Sequence, residues 1–480
     1  MIVVFVMATT VPIMARQQLG FDEGWNLQAP YELAAHGTYA SFGSVFDGQT
    51  KIFDPYLSTG PAVSFPIAAA FKVFSVGVLQ ARWVMLLFYL AALILLAWYV
   101  YERTRSLYAL IAPLTLLLLS SSGLAFRIEI LGEMAGVAYA LGSLLAWRHH
   151  KYALAGLLAA LAMLSKFLLL LLVVAGFMAL FIRLVRHWQT PKTVLQQAGW
   201  WTLGTGAPLF LWEVFRFIQL GGSRHAYIQN LREFGHFFKA NGSGIGSTGT
   251  SGLTIPHKFH MLTSNIAVSN RLMIIAGIII ASGLVLGYRK LYAVARENVF
   301  GLLFIALYAV WWFLFSNGGY ARYTLPLFVV GYAILLYTFL RVQPAEPPRL
   351  RVLSHGLKVV LVLVLVAALH TFYVPFHLPT YTITLDTQQR IANRVVQAHP
   401  ARLTHVGWWQ NPEILFLTKM HSTEFDYIKI GQSYDLLLAP ALRDIVPTEY
   451  VKFQSLCTNV VFTDNGYILC TGTKLAERER

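Results

Sequence analysis

Residues 83–101 read WVMLLFYLAALILLAWYVY and contain no charged side chain. A helix rises about 1.5 Å per residue, so about 20 consecutive apolar residues cross the hydrocarbon core of a bilayer. This stretch therefore predicts a membrane-spanning helix. Across all 480 residues, 56% are hydrophobic and 12% are charged, whereas about a quarter of the residues of soluble domains are charged. Lipid is thus the predicted solvent for most of the chain.

Similar apolar runs, some of them short or interrupted, occur along most of the sequence. About eleven are long enough to predict spanning helices. They lie near residues 1–15, 83–101, 108–124, 135–147, 152–164, 167–183, 197–218, 269–288, 298–315, 324–341 and 357–373. The first run lacks the basic start and the small-residue cleavage site of a removable signal peptide, so we interpret it as a helix. The predicted fold class is a polytopic α-helical membrane protein.

The net charge of +15 does not predict nucleic-acid binding, because the basic residues form no single stripe or tail. They fall instead in alternate short loops, around Arg103, Arg148, Arg183, Arg289 and Arg349. Short loops rich in Lys and Arg stay on the cytoplasmic side. This pattern predicts a multi-pass protein of the inner (plasma) membrane with a cytoplasmic N-terminus. Segments 16–82 and 219–268 and the C-terminal tail would then lie outside the cytoplasm.

The apolar pattern ends near residue 373, which predicts a membrane domain over 1–373 and a small extracytoplasmic α/β domain over 374–480. In the tail, Thr387–Ala398 has helical periodicity, and Leu403–Trp408 and Tyr434–Leu438 have strand character. A hairpin is predicted around residues 464–466, which read Asp-Asn-Gly. Cys457 and Cys470 both lie in this tail. A disulfide fits an oxidising compartment, and two buried thiols are the alternative.

The two long outer segments carry further structure signals. Gln28–Ala35 and Pro61–Phe74 have the apolar spacing of helices that lie on a membrane surface. Residues 241–252 read NGSGIGSTGTSG, a composition typical of flexible chain. This stretch is either a mobile flap over a site or a disordered loop.

Asp22 and Glu23 follow the first helix at the predicted outer membrane boundary. A carboxylate held at such an interface can take the proton of an acceptor hydroxyl, as direct glycosyl displacement requires. The alternative is that the pair caps a short helix, because acidic residues favour helix N-termini.

A second charged group, Arg127, Glu129 and Glu133, lies in the short loop after the third helix. Charges so close to hydrocarbon are costly unless they are paired or functional. Glu129 and Glu133 have the i, i+4 spacing of one helix face, where they could meet Arg127, a metal ion or a substrate. An ordinary salt bridge with Arg127 is the alternative.

Outward cations follow later in the chain. Lys166 lies between two short apolar runs, with no carboxylate near it in sequence, and Arg322 stands between Tyr320 and Tyr323. Both cations suit an anionic phosphate. The alternatives are snorkelling of Lys166 to ordinary lipid headgroups and the usual enrichment of aromatic residues at membrane interfaces. His225 in segment 219–268 is a further candidate contact for sugar or acceptor.

The sequence contains no zinc-ligand spacing, no Gly-rich phosphate loop followed by Lys-Ser/Thr and no G-x-S-x-G elbow. The predicted cytoplasmic loops are too short to form a nucleotide-binding domain. A cytoplasmic nucleotide sugar is therefore not the predicted donor.

Several short motifs resemble the GT-C superfamily of membrane glycosyltransferases over residues 15–340. They are Asp22-Glu23-Gly24, Asp54-Pro55, Thr59-Gly60-Pro61, Leu164-Ser165-Lys166 and Arg322-Tyr323-Thr324-Leu325-Pro326. The branch that they resemble most is the protein mannosyltransferase and aminoarabinose transferase (ArnT-like) group.

The resemblance implies an inverting transferase that moves a sugar from a polyprenyl-phosphate carrier to an acceptor outside the cytoplasm. It implies Asp22 as the catalytic base with Glu23 beside it, Lys166 and Arg322 as contacts of the carrier phosphate, and Glu129 or Glu133 as a second acidic residue. The extended second acidic motif of oligosaccharyltransferases is absent, so a divalent cation stays an open alternative, and no other cofactor is implied.

Two other function classes fit the membrane pattern. A transporter would place charges or broken helices near the bilayer midplane, often in two related halves. Glu213 is the main such charge here, and the sequence shows no second half. A lipid-binding or lipid-flipping protein without glycosyl transfer is the remaining alternative, because the same cations could bind phospholipid headgroups.

Overall fold

The structure is a computed structural model of the chain. It describes residues 2–41, 49–110, 127–240, 255–256, 258, 271–286, 288–316, 321–341, 348–373, 383–400, 402–406, 410–445 and 447–474.

The described chain is mainly helical up to residue 373. The helices of this part are α1 Ile2–Met14, α2 Phe21–Asn26, α3 Gln28–His36, α4 Pro61–Phe74, α5 Val78–Thr104, α6 Gly132–Arg148, α7 Tyr152–Ser165, α8 Leu170–Val185, α9 Pro191–Gln219, α10 Arg224–Ala240, α11 Arg271–Leu286, α12 Tyr288–Glu297, α13 Val299–Leu314, α14 Ala321–Arg341 and α15 Pro348–Tyr373. Two short strands, β1 Ala40–Ser41 and β2 Lys51–Ile52, pair antiparallel between α3 and α4.

Three of the described helices are long and apolar enough to cross a membrane: Val78–Thr104, Phe167–Val185 and Arg322–Arg341. The pair Leu291–Glu297 and Val299–Leu314 would add a fourth span if counted together, although the two helices are bent by 84°. The predicted run 108–124 falls almost wholly outside the described residues. Spanning helices are therefore present, and the number of about eleven stays a prediction.

Both helices predicted in segment 16–82 are present, as α3 and α4, and their position on the membrane surface stays a prediction. α4 begins at Pro61, whose ring fixes a helical φ and whose missing N–H is not needed in the first turn. Gly60 precedes it, and a β-carbon there would lie 2.1 Å from the carbonyl oxygen of Leu164. The start of α4 and the end of α7 can meet this closely only because residue 60 has no side chain.

Segment 219–268 contains a helix, α10, that the sequence did not predict. Its neighbour, the Gly-rich stretch 241–252, lies outside the described residues. The flap and the disordered loop therefore both stay predictions.

The C-terminal part forms a five-stranded sheet with the order β4-β3-β5-β7-β6. Its elements are α16 Leu385–Gln397, β3 Leu403–His405, α17 Pro412–Thr418, β4 Ser422–Glu424, β5 Ser433–Leu438, α18 Pro440–Ile445, α19 Pro447–Gln454, β6 Asn459–Asp464 and β7 Tyr467–Thr473. The predicted helix, both strands and the hairpin are confirmed, although β3 ends at His405 and residues 407–409 are not described. A Cys457–Cys470 disulfide, with 5.4 Å between the Cα atoms, joins the α19–β6 link to β7.

A small α/β unit at the C-terminus is thus present. The predicted boundary at residue 373/374 stays a prediction, because residues 374–382 lie outside the described part.

Candidate functional site

The acidic pair after α1 lies in the first turn of α2, and its two members make different contacts. Glu23 accepts hydrogen bonds from the backbone N–H of Gly20 at 2.9 Å and of Ile130 at 3.3 Å. It is buried, whereas the side chain of Asp22 is 41% exposed and faces Arg322. The two alternatives from the sequence thus divide between the residues: Glu23 caps the helix, and Asp22 is available to the site.

Arg82, in the first turns of α5, holds the chain around Glu23. Its fully buried guanidinium donates to the carbonyl oxygens of Met14 at 2.7 Å, Gln17 at 2.8 Å and Gln18 at 2.9 Å, and pairs with Glu23 at 3.3 Å. This set of bonds compensates the buried charge. It also fixes the link between α1 and α2, and hence the position of Asp22.

Four charged side chains from distant parts of the sequence form one network, which we call the outer cluster: Asp22, Glu133, Lys166 and Arg322. Arg322 forms an ion pair with Asp22, and its Nε lies 3.8 Å from Glu133 Oε1. Lys166 Nζ lies 3.2 Å from the same Glu133 oxygen. Side-chain exposure rises from the buried Glu133 and Lys166 through Arg322 to Asp22. The cluster therefore extends from the protein interior to the protein surface.

Lys166 is not the lone cation that the sequence predicted. It directly follows α7 and pairs with Glu133 in the first turn of α6. The contact depends on Gly132, where a β-carbon would lie 2.0 Å from the carbonyl oxygen of Ser165. The starts of α4 and α6 therefore both abut the end of α7. This close approach brings the first turn of α6 to Lys166.

Glu129 lies in the turn before α6 and not on a shared helix face with Glu133, because the helix begins only at Gly132. The pKa of Glu129 is raised to about 8, chiefly by burial. The negative charges of Glu23, Glu133 and Asp22 contribute to this rise, and Arg322 acts in the opposite direction. A carboxyl group with this pKa is mostly protonated at neutral pH and can donate a hydrogen bond.

Tyr323 adjoins both cations of the outer cluster. Lys166 Nζ lies 5.8 Å and the Arg322 guanidinium 5.4 Å from the centre of its ring. The backbone oxygen of Tyr323 accepts a hydrogen bond from Tyr308 at 2.8 Å, which fixes the start of α14. Tyr320 lies outside the described residues.

Two predicted candidates lie elsewhere. Arg127 is buried and donates to the hydroxyl groups of Thr9 and Thr10 at 3.2 and 3.3 Å. The salt bridge of Arg127 with a neighbouring glutamate, which the sequence left as an alternative, stays a prediction. His225 lines a shallow depression with Arg224 and Arg232 on α10.

A cavity of about 450 Å³ adjoins the outer cluster. Lys166 and Tyr323 lie in its wall, and most of the remaining wall is apolar or aromatic, including Phe167 and Trp212. Sequence reasoning missed Arg216, which also lines the cavity, is buried and pairs with Glu213 at 3.4 Å. The i, i+3 spacing of Glu213 and Arg216 inside an apolar run was the available signal.

Lys166 is thus one of four charged residues, with Asp54, Glu213 and Arg216, in a cavity wall that is otherwise largely apolar. An apolar cavity with a few convergent polar groups is the usual form of a small-molecule site. Within the described ranges, no group of three or more His, Cys, Asp or Glu side chains is arranged to hold a metal ion.

Solved structures share this fold. ArnT from Cupriavidus metallidurans bound to undecaprenyl phosphate matches with a TM-score of 0.58 at 13% identity, over 98% of this chain and 96% of that one. The apo state of the same protein gives a TM-score of 0.60.

The archaeal oligosaccharyltransferase AglB from Archaeoglobus fulgidus, in complex with an inhibitory peptide and a dolichol-phosphate, matches with a TM-score of 0.51 at 10% identity. That match covers 100% of this chain and 74% of AglB. No family model and no curated protein sequence matches the chain. ArnT and AglB are GT-C glycosyltransferases, so the predicted GT-C resemblance is confirmed at the level of the fold.

Proposed function

We propose that this chain is an inverting glycosyltransferase that moves a sugar from a polyprenyl-phosphate carrier to an acceptor outside the cytoplasm. The observation that carries the proposal is that Lys166, a member of the outer cluster, also lies in the wall of a largely apolar cavity. A carrier of this class combines a long apolar chain with an anionic phosphate. The cavity offers an apolar wall beside the buried cation Lys166.

The proposed reaction is a single displacement. The acceptor oxygen or nitrogen attacks the anomeric carbon, and the bond between that carbon and the phosphate oxygen breaks with its electron pair leaving on the phosphate. Asp22 takes the acceptor proton as general base. Lys166 and Arg322 face the negative charge that develops on the leaving phosphate, which lowers the barrier electrostatically.

The ion pair between Arg322 and Asp22 adds a step to this proposal. While this pair is formed, the Arg322 guanidinium covers the Asp22 carboxylate oxygen that would take the acceptor proton. A carrier phosphate that attracts Arg322 releases Asp22 from this pair. Donor binding would therefore activate the base before the acceptor reacts.

The proposal includes the predicted topology, with about eleven spanning helices, a cytoplasmic N-terminus and residues 374–480 outside the cytoplasm. The acceptor is a glycan, a lipid or a protein, and the donor reaches the site through the bilayer. ArnT and AglB support this proposal through their fold and through the undecaprenyl phosphate and dolichol-phosphate bound to them.

The test uses purified protein in nanodiscs with radiolabelled polyprenyl-phosphate sugars and a membrane extract as the source of acceptor. Loss of a general base typically lowers the rate by about 10²–10⁴-fold, so Asp22→Asn should lose transfer to that extent. Its carrier binding should stay intact. The matched control is Asp444→Asn, because Asp444 is 65% exposed and pairs only with its neighbour Arg443 in the described structure.

Label that moves to a new product with the wild type and the control, but not with Asp22→Asn, supports the transferase. Carrier binding without transfer from any labelled carrier would overturn the proposal. That result would favour a lipid-binding or lipid-flipping protein.

A further inference from the structure

α2, the helix that carries Asp22, has only six residues, Phe21–Asn26. Isolated helices shorter than about 12 residues are marginal in water. The position of Asp22 is therefore set by what packs around α2. Part of that packing comes from the C-terminal unit, whose role the proposed reaction does not explain.

Gln388 on α16 binds the chain immediately before α2 at two points. Its Oε1 accepts from the backbone N–H of Leu19 at 2.6 Å, and its Nε2 donates to the backbone oxygen of Leu19 at 2.9 Å. Gln388 is 2% exposed, so water does not compete for these bonds. Leu385 N–H also donates to the backbone oxygen of Arg16 at 3.2 Å, beside an antiparallel bridge between Gln17 and Thr384.

The start of α17 touches α2 itself. A β-carbon on Gly24 would lie 2.4 Å from the backbone nitrogen of Glu413 and 2.5 Å from the backbone carbon of Pro412. These are backbone atoms at a helix start, so they cannot move aside as the end of a flexible side chain can. The backbones of α2 and α17 are therefore in direct contact, two residues from Asp22.

Further contacts of α17 hold it on the neighbouring helices. The ring of Phe416 stacks on Phe71 of α4 with 6.4 Å between centres. Lys419, just after α17, lies 4.8 Å from the ring of Tyr31 on α3. Thus α17 bridges α2, α3 and α4, and α16 holds the segment that leads into α2.

We propose that Gln388 and the Pro412–Glu413 backbone are positioning elements of the active site. They fix the place of α2 so that the Asp22 carboxylate stands at the outer cluster. The C-terminal unit is then required for turnover even where it touches no substrate. The predicted effect on turnover rests on the proposed function, whereas the predicted effect on α2 does not.

The first test replaces the two hydrogen bonds while keeping side-chain length. Gln388→Met should raise amide hydrogen exchange in residues 17–27 about tenfold, because losing a buried hydrogen bond costs about 1.4 kcal/mol. It should lower kcat about tenfold and leave KM for the carrier within about twofold, since Lys166 and Arg322 are untouched. Gln388→Glu keeps the acceptor for Leu19 N–H and should recover part of both effects.

Gln389→Met is the matched control. Gln389 is the next residue of the same helix, is exposed and bonds only to Asn393, at 3.2 Å, in the described structure. It should behave as the wild type. Exchange within α6 should stay unchanged in all variants, which shows that the protein is folded.

A second, independent variant is Gly24→Ala, which forces the backbones of α2 and α17 apart. A displacement of about 1 Å at a catalytic group lowers the rate by about 10²-fold, so kcat should fall by that factor. Gly206→Ala is its control, because Gly206 is also in a helix and nothing lies within 4 Å of the added carbon.

Wild-type exchange rates over residues 17–27 in Gln388→Met would overturn the proposal. A rise in KM with unchanged kcat would also overturn it and would assign the C-terminal unit to substrate binding. If the wild type shows no transfer from any carrier, the proposed function fails. The exchange measurement then still decides whether the C-terminal unit positions α2.

Discussion

α6 carries a buried charge at each end, and the two ends are built differently. At its C-terminal end, Arg148 donates to the backbone oxygen of Tyr99 at 2.7 Å and to Asn298 Oδ1 at 2.6 Å. Its guanidinium also lies between the rings of Tyr99 and Tyr337, 3.5 and 4.2 Å from their centres. This cation is enclosed and well satisfied.

At the N-terminal end, Glu133 is equally buried, but neither of its carboxylate oxygens accepts a hydrogen bond from the residues described. It has only the ion pairs with Lys166 and Arg322, and Lys166 lies in the wall of the cavity. Buried polar groups in native proteins are almost always hydrogen-bonded, and an exception is explained by strain, a catalytic role, or a bound water molecule or ion. The Arg148 end therefore holds the helices together. At the Glu133 end, the carboxylate oxygens have no hydrogen bond from the described residues and are able to accept one from a ligand.

The largest effect is expected at the Arg148 end. Arg148→Met removes two charge-assisted hydrogen bonds and two cation–π contacts, which together contribute about 3 kcal/mol. The unfolding free energy in SDS titration should fall by about this amount, while kcat of the folded fraction stays near the wild-type value. Arg186→Met, at an exposed site, is the control. A large loss of kcat with unchanged stability would show that Arg148 serves activity and not the stability of the fold.

The next effect concerns Lys166, whose replacement by Gln keeps donors for Glu133 but removes the charge. A hydrogen bond to a charged group contributes about 2 kcal/mol, so KM for the carrier should rise about thirtyfold. Stability should change by less than about 1 kcal/mol, because the Gln amide supplies a donor beside the Glu133 carboxylate. Lys151→Gln, at the exposed opposite end of α7, should leave both quantities unchanged. Equal stability losses for Lys166→Gln and Arg148→Met would show that the two ends are alike.

The smallest effect is a dependence of carrier binding on pH. The pKa of Glu129 is raised to about 8, mainly by burial. Its carboxyl group is therefore mostly neutral at pH 7 and becomes charged as the pH rises through 8. The new negative charge opposes a bound phosphate by about 1 kcal/mol, so KM should rise about fivefold between pH 7 and 9. Glu129→Gln should abolish this rise, and a rise that persists in that variant would assign it to another group.

The parts of the fold that local chemistry decides could be predicted from the sequence. Gly60 followed by Pro61 marks the start of α4, and residues 464–466 mark the turn between β6 and β7. The predicted α3 and α16 follow from apolar spacing along each helix. In each case the deciding residues are neighbours in sequence.

The sequence identified individual residues of the candidate site but not which of them contact each other. The sequence predicted Lys166 as a cation without a partner, because its partner Glu133 lies on another helix. It offered capping for the Asp22–Glu23 pair but could not divide the roles between the two residues, because Arg82, which holds Glu23 in the interior, is 59 positions away. α17 was also missed, because its seven residues are too few for a clear helical period.

The bonds between Leu19 and Gln388 join residues 369 positions apart in the chain. Ribosomes add about 5–20 residues per second, so α2 is made on the order of 20–70 seconds before Gln388 exists. During that interval the helix carrying Asp22 lacks this anchor and has only the contacts of the membrane part, such as those of Arg82. If the proposed function holds, an incomplete chain in the membrane has its base unpositioned until the C-terminal unit is made.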